Sequence, residues 1–205
     1  MPAKFALTLD EETKKYLNSV YEELGGAILE FGSGGSTFLA LKNNPLNVVY
    51  CCETDSAWLC RLMLEVAEQD YLERVVPIHL DIGKTTTWGN PDIIEEAVTK
   101  ERIQKFITCP LTPWKILERL KVQPDFVFID GRWRASSFLA SMIFTKKKIR
   151  VLWDDYKGRS YYHVFGDIIS PTMMIGRAAL FEVEPQQFCA KDIFVKYLEY
   201  FGDWG

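Results

Sequence analysis

Five short apolar runs, each ending at or beside an acidic residue, recur along the chain. They cover residues 27–31, 47–52, 75–80, 125–129 and 150–153, and the acids are Glu30, Glu53, Asp81, Asp130 and the pair Asp154 and Asp155. Nearly continuous apolar strands are typical of parallel sheets that are covered on both faces. Because helical patterns separate the runs, the sequence predicts an α/β protein with a doubly wound, mostly parallel sheet in three α/β/α layers. A single domain over residues 1–205 fits this length.

The first apolar run breaks into a glycine turn, Gly32-Ser33-Gly34-Gly35, and a helix is expected to begin at Ser36. Glycines let a backbone approach a ligand closely, and a helix N-terminus offers free N–H groups. Glu30 beside the turn disfavours a pyrophosphate, and Thr37 stands where the dinucleotide-binding pattern has its third glycine. The turn therefore predicts a nucleoside ligand without phosphates, contacted by Glu30, Gly32, Ser33, Gly34 and Ser36.

Other elements are expected around these strands. Thr8 and Glu11 form a possible capping box for an N-terminal helix, within residues 1–25, that ends at Leu24. Further helices are expected over residues 56–69 and 135–145, and a late strand over 179–184. Residues 83–113 form a long excursion, with a helix near 91–105, of the kind that usually covers a site. The pattern at residues 192–201 fits a strand or a helix equally well.

The composition argues against several classes of protein. The net charge of −4 gives no general reason to expect nucleic-acid binding. No apolar run approaches the ~18 residues of a membrane span. The five cysteines are an odd number without a C-x-x-C pair, which predicts reduced thiols and a cytoplasmic location.

The acids at the strand ends are candidates for ligand contacts, since open α/β sheets bind ligands beyond the carboxyl ends of their strands. Together they predict an acidic rim that suits hydroxyls, amines, a sulfonium or a metal ion. Glu53 lies 21 residues after Gly32, close to the spacing of about 20 residues for an acid that holds ribose hydroxyls. Trp58, soon afterwards, fits a core position better than an adenine contact.

These motifs resemble the Rossmann-like S-adenosylmethionine-dependent methyltransferases over roughly residues 25–155. The resemblance implies S-adenosylmethionine as cofactor, with the glycine turn as the first motif. It further implies that Glu53 binds the ribose beside Thr54, that Asp81 and Ile82 contact the adenine, and that Asp130 lies near the methionine end and the acceptor. Two departures are Ser36 at the third motif glycine and Thr54 where an apolar residue is usual.

A narrower resemblance links the segments Phe128–Trp133 and Leu152–Tyr156 to macrocin-type sugar O-methyltransferases. In those enzymes an acid-rich turn and a D-D-Y segment bind a divalent metal, which here implies a possible Mg²⁺ at Asp154 and Asp155. Arg132 replaces the second acid of the turn and can pair with these aspartates or bind an acidic substrate. The layout is closer still to small bacterial methyltransferase-like proteins.

The resulting hypothesis is methyl transfer to a small-molecule or glycan-like acceptor, with no nucleic-acid or membrane partner. Candidate proton acceptors are Asp130, Asp154 and Asp155, with His163 as an outside candidate. Arg132, Arg134 and Tyr156 are candidate substrate contacts. Two alternatives stay open: an NAD-dependent oxidoreductase, for which Glu53 would serve equally well, and a non-catalytic binding protein. The acceptor, the methylated atom and the oligomeric state are left undetermined.

Overall fold

A seven-stranded sheet forms the centre of the protein. The computed structural model describes residues 5–185 and 187–205. The strands are β1 (Ala27–Phe31), β2 (Val48–Glu53), β3 (Val75–His79), β4 (Phe126–Ile129), β5 (Ile149–Trp153), β6 (Met173–Ile175) and β7 (Ala178–Val183). Their order is β3-β2-β1-β4-β5-β7-β6. Strands β1 to β5 are mutually parallel, whereas β7 runs antiparallel to β5 and β6 antiparallel to β7. The predicted doubly wound, mostly parallel sheet is confirmed.

Helices cover both faces of the sheet. One face packs against α1 (Glu11–Leu24), α2 (Gly35–Asn43) and α3 (Ser56–Glu68), and the other against α4 (Lys100–Thr108), α5 (Thr112–Leu120), α6 (Arg134–Phe144) and α7 (Ala190–Tyr197). In β4, Phe126 and Phe128 join the first core, whereas Val127 and Ile129 join the second. This alternation follows the pleat, which points successive side chains to opposite faces, and explains why the strand is apolar throughout.

The N-terminal helix ends at Leu24 as predicted, but it begins two residues later than a cap at Thr8 implies. Asp10, not Thr8, is the cap, because its Oδ1 accepts the N–H groups of Glu12 and Thr13 at 3.0 Å each. Gly25 ends the helix with a φ of 56°, a left-handed conformation that glycine adopts without a steric cost. Residues 1–4 lie outside the described residues.

The excursion over residues 83–113 differs most from the prediction. The helix expected near 91–105 is wrong, because α4 begins only at Lys100, capped by the hydroxyl of Thr99. The buried guanidinium of Arg102 holds the preceding loop by donating to the carbonyls of Ile82, Lys84 and Asp92 at 2.9 Å each. The guanidinium therefore satisfies three carbonyl oxygens of a loop that has no helical hydrogen bonds for them, and one side chain connects the segments of the loop.

The C-terminal third contains a strand that the sequence did not predict, because β6 pairs with β7 as a hairpin. A 3-10 helix covers Ser160–Asp167. Residues 192–201 are helical, as the end of α7 and the 3-10 helix Leu198–Phe201. Within the described residues, no helix is both long and apolar enough to cross a bilayer. All five cysteines carry free thiols.

Candidate functional site

A cavity of about 560 Å³ opens at the carboxyl ends of β1, β2 and β4. One end is lined by residues 53–55 and Trp58, the middle by the glycine turn, and the other end by residues 130–132. Two covering segments, residues 6–9 and residues 87–89, complete the lining. The position is where open α/β sheets bind their ligands, and the volume suits a small molecule.

The glycine turn makes direct backbone contact with the loop after β4. Gly32 has a φ of 93°, and a Cβ there would lie 2.7 Å from both the amide nitrogen and the Cα of Gly131. Its own N–H donates to the carbonyl of Cys52 at 2.9 Å. Only glycine fits both the dihedral angle and the space. The contact places Asp130 and Arg132 beside the turn, where Gly32, Ser33, Gly34 and Ser36 line the cavity as expected.

Glu30 has a different role from the one that the sequence suggested. Its side chain is buried on the side of α2, outside the cavity lining. It accepts hydrogen bonds from the hydroxyls of Ser36 and, at 2.5 Å, Thr37. Burial raises the pKa of Glu30 to about 7, while these two hydroxyls act in the opposite direction. The placement makes Glu30 a support for the first turn of α2 and not a direct ligand contact.

Glu53 faces the cavity from the end of β2. Its Oε1 accepts the N–H groups of Thr54 and Asp55 at 2.8 and 3.0 Å. Its Oε2 is held only loosely, by the hydroxyl and the N–H of Ser33 at 3.3 and 3.4 Å. Burial raises the pKa of Glu53, and the backbone N–H groups act against this rise. Oε2 is therefore the oxygen best placed to accept a ligand's hydroxyl group.

Trp58 and Thr54 connect Glu53 to the covering segments. The indole Nε1 of Trp58 donates to the carbonyl of Ser33 at 2.8 Å, and its ring meets that of Phe5 edge-on at 4.8 Å. The hydroxyl of Thr54 donates to the carbonyl of Gly89 at 2.9 Å. Trp58 lines the cavity rather than being a purely core residue, so a ligand ring at this end would meet an aromatic surface.

The pair Asp81 and Ile82 lies outside the cavity lining. The Asp81 carboxylate is exposed and forms a salt bridge with Lys105 at 2.6 Å, while Ile82 is fully buried. Their neighbour Leu80 lines the cavity instead. The structure does not bring the expected adenine-contacting pair to the site.

The predicted acidic rim is neutralised by arginines on the side of β4 and β5. The buried guanidinium of Arg134 bridges Asp130 at 3.2 Å and Asp155 at 2.8 Å. Arg177 bridges Asp154 at 2.7 Å and Asp155 at 2.9 Å. Asp155 also pairs with Arg159 at 3.0 Å. The rim is thus a network of ion pairs and not an open set of acids.

This network does not fit a magnesium ion. Mg²⁺ needs oxygen ligands that are free to coordinate it, whereas Asp154 and Asp155 both accept from guanidinium groups. Across residues 5–185 and 187–205, no group of three or more His, Cys, Asp or Glu side chains is arranged to hold a metal ion. The possible Mg²⁺ at the D-D-Y segment is therefore not supported.

Only two of the predicted catalytic and substrate residues line the cavity, Asp130 and Arg132. Arg134 is committed to its ion pairs, and Tyr156 is 5% exposed, with its ring 5.3 Å from that of Trp153. The ring of His163 packs on Tyr156 at 4.8 Å, also outside the cavity lining. The sequence did not reveal Arg177, because nothing near it in the chain marks it as a partner of the β5 acids.

Asp130 has an unusual environment for a carboxylate. Burial raises its pKa well above the usual range; the ion pair with Arg134 opposes this rise, and the neighbouring Asp154 and Asp155 carboxylates add to it. A carboxyl group with a raised pKa keeps its proton to higher pH, so it can donate as well as accept a hydrogen bond.

Comparison with solved structures gives a match over nearly the whole chain. No protein-family model matches the sequence, and no curated protein matches it. A methyltransferase-like protein from Silicibacter pomeroyi is 29% identical, with a TM-score of 0.81 over 97% of this chain and 98% of that one. The chain has the Rossmann-like methyltransferase fold.

More distant structures share this methyltransferase fold. An O-methyltransferase from Bacillus cereus, solved in complex with SAH, is 16% identical, with a TM-score of 0.57 over 87% of this chain and 84% of that one. The O-methyltransferase TomG from Streptomyces achromogenes, solved with SAM, is 16% identical, with a TM-score of 0.51 over 82% of this chain and 63% of that one. The family resemblance expected from the sequence is confirmed.

Proposed function

We propose that the chain is an S-adenosylmethionine-dependent methyltransferase that acts, as a single domain, on a small-molecule or glycan-like acceptor. The observation that carries the proposal is the loosely held Oε2 of Glu53, which faces the cavity beside the glycine turn. A carboxylate there suits two neighbouring ribose hydroxyls. The similarity to a methyltransferase-like protein over nearly the whole chain supports the same function. The five free thiols favour a reducing, cytoplasmic compartment.

The cofactor's nucleoside would lie at the end formed by Glu53 and Trp58, and its sulfur would point toward Gly32 and Asp130. When bound, S-adenosylmethionine would supply a sulfonium methyl group to the acceptor and would leave as S-adenosylhomocysteine. The chain's part is to align the two molecules and to exclude water. The covering segments, residues 6–9 and 87–89, lie where they would do both.

Asp130 is the catalytic candidate that we retain, since Asp154 and Asp155 lie outside the cavity lining. In its ionised form it can accept a proton from an acceptor hydroxyl. Arg134 favours that form by its ion pair, although burial opposes it. Asp154 and Asp155 become positioning residues that fix the arginines around Asp130.

Calorimetric titration with S-adenosylmethionine, S-adenosylhomocysteine and NADH tests the proposal. We expect both sulfur nucleosides to bind, and Glu53→Gln to weaken them about tenfold or more because a charged acceptor is lost. Asp81→Asn is the matched control, since Asp81 is an exposed acid outside the cavity lining, and it should leave the affinity unchanged within about twofold.

Three outcomes of these titrations would change the assignment. Failure of both sulfur nucleosides to bind the wild-type protein would refute the proposed function. Tight binding of NADH would favour the oxidoreductase. Binding of S-adenosylmethionine without methyl transfer to any of a broad acceptor panel would favour a non-catalytic binding protein, a reading that the ion-paired state of Asp130 also supports.

A further inference from the structure

The charges around the ends of β4 and β5 do not cancel. Three carboxylates, Asp130, Asp154 and Asp155, lie with four guanidinium groups, which leaves one positive charge when every carboxylate is ionised. Three of the arginines, Arg134, Arg159 and Arg177, form salt bridges with these acids. The fourth is Arg132, so the surplus charge can be assigned to one side chain.

Arg132 donates hydrogen bonds to two main-chain oxygens. Its Nε donates to the carbonyl of Trp88 at 3.1 Å, and its Nη1 donates to a carbonyl oxygen of Gly205 at 3.4 Å. In the described part of the chain it forms no salt bridge with a carboxylate. Burial, together with the positive charges of Arg134 and Arg159, lowers its pKa. The Asp130 carboxylate acts in the opposite direction, and an arginine stays protonated at any physiological pH. Arg132 therefore adds a positive charge to the cavity lining.

Arg132 also lines the cavity, on the side of β4, whereas Glu53 lines it from the end of β2, on the other side of β1. If a nucleoside occupies the Glu53 end, the guanidinium faces the space left for the rest of the cofactor and for the acceptor. Trp88 stands next to it, with 74% of its surface exposed. The carbonyl of Trp88 accepts from Arg132, and Trp88 also lines the cavity. A molecule with a negative charge fits the guanidinium at this place.

We propose that Arg132 binds a carboxylate or phosphate group of the methyl acceptor, so that the enzyme selects anionic acceptors. The proposal rests on the proposed function, because it names the acceptor class for the same cavity. A carboxylate could also come from the amino-acid part of the cofactor itself. The experiment therefore has one arm for each source.

The acceptor arm uses two probes of nearly equal size that differ by one negative charge, 4-hydroxybenzoate and 4-hydroxybenzamide, together with inorganic phosphate. Each is titrated into the protein saturated with S-adenosylhomocysteine. We expect the wild-type protein to bind the benzoate about tenfold more tightly than the amide, and Arg132→Gln to abolish this preference. Arg61→Gln is the matched control: Arg61 also lines the cavity, stacked 5.6 Å from the ring of Trp58, and its loss should leave the preference intact.

The cofactor arm compares S-adenosylhomocysteine with 5′-methylthioadenosine, which lacks the amino-acid part. Arg132→Gln should leave both affinities unchanged. A loss of about tenfold confined to S-adenosylhomocysteine would assign Arg132 to the cofactor's carboxylate and overturn the acceptor proposal. The proposal also fails if neither 4-hydroxybenzoate nor phosphate binds the wild-type protein at millimolar concentration, or if Arg132→Gln keeps the preference for benzoate.

The two proposals fail in distinguishable ways. If the wild-type protein binds neither nucleoside, the methyltransferase assignment is refuted. The same anion titrations on the free protein then report on Arg132 alone, and a preference for benzoate that disappears in Arg132→Gln still supports an anion site.

Discussion

The guanidinium of Arg177 holds the fully buried carboxylate of Asp154, with Nη2 2.7 Å from Oδ2. Asp154 follows β5, whereas Arg177 stands in the turn of the β6–β7 hairpin. The carboxylate has no access to water, so its charge must be balanced within the protein. The antiparallel hairpin at the sheet edge thus supplies the positive charge that balances the buried carboxylate after β5.

Removing this partner should destabilise the protein strongly. We expect Arg177→Gln to lower the free energy of unfolding by about 3–5 kcal/mol, because it leaves an unpaired buried carboxylate. Urea denaturation measures the loss. Lys148→Gln is the control: its ammonium bridges the exposed Glu182 at 2.7 Å, and such surface pairs contribute about 0–1 kcal/mol. An equal, small loss in both variants would contradict this account.

The backbone contact between the glycine turn and the loop after β4 predicts a second position where a substitution destabilises the protein. A Cβ at Gly131 would lie 2.9 Å from the amide nitrogen of Gly32, so the backbone of one loop must move. We expect Gly131→Ala to cost about 1–3 kcal/mol of stability and to weaken S-adenosylhomocysteine binding. Gly158→Ala is the control, since no atom lies within 4 Å of its added Cβ. Unchanged nucleoside affinity in Gly131→Ala would show that the loops are not fixed by this contact.

Glu30 predicts a pH dependence of stability. Its pKa is about 7 in the folded protein, against a usual value of 4.5. Between these values the folded protein keeps a proton that the unfolded chain has lost, so stability falls as the pH rises through this range. The fall is at most about 1.4 kcal/mol per pH unit for one group. Glu30→Gln should reduce this slope in a series of urea denaturation experiments between about pH 5 and pH 7. Identical slopes for the two proteins would refute the role of Glu30.

The ion pairs of Asp154 and Asp155 predict that magnesium has no effect. We expect neither millimolar Mg²⁺ nor a chelator to change the melting temperature or the affinity for S-adenosylhomocysteine, because no carboxylate of the D-D-Y segment is free to coordinate an ion. Thermal denaturation and calorimetry with and without the ion measure this. A clear rise in melting temperature with Mg²⁺ would contradict it, since an ion that binds only the folded protein stabilises it.

The sheet and one end of the site could be predicted because their signals are local. The apolar runs, the glycine turn and the spacing to Glu53 lie within short stretches of sequence. The other end depends on partners that are distant in the chain, as Arg177 is 23 residues from Asp154. The same holds for the excursion, whose course is fixed by Arg102 binding the carbonyl of Ile82, 20 residues away. On the side of β4 and β5, the negative charges of the predicted acidic rim are therefore balanced by arginines that the sequence pattern did not indicate.

The cavity is lined in part by an early segment of the chain, which the late β6–β7 hairpin contacts. Residues 6–9 line it, and the carbonyl of Thr8 accepts from Arg177 at 3.4 Å. A partly folded molecule that lacks either the early segment or the late hairpin has no complete pocket. A nucleoside ligand would therefore select only fully folded molecules, and its binding would serve as a test of the integrity of the entire polypeptide.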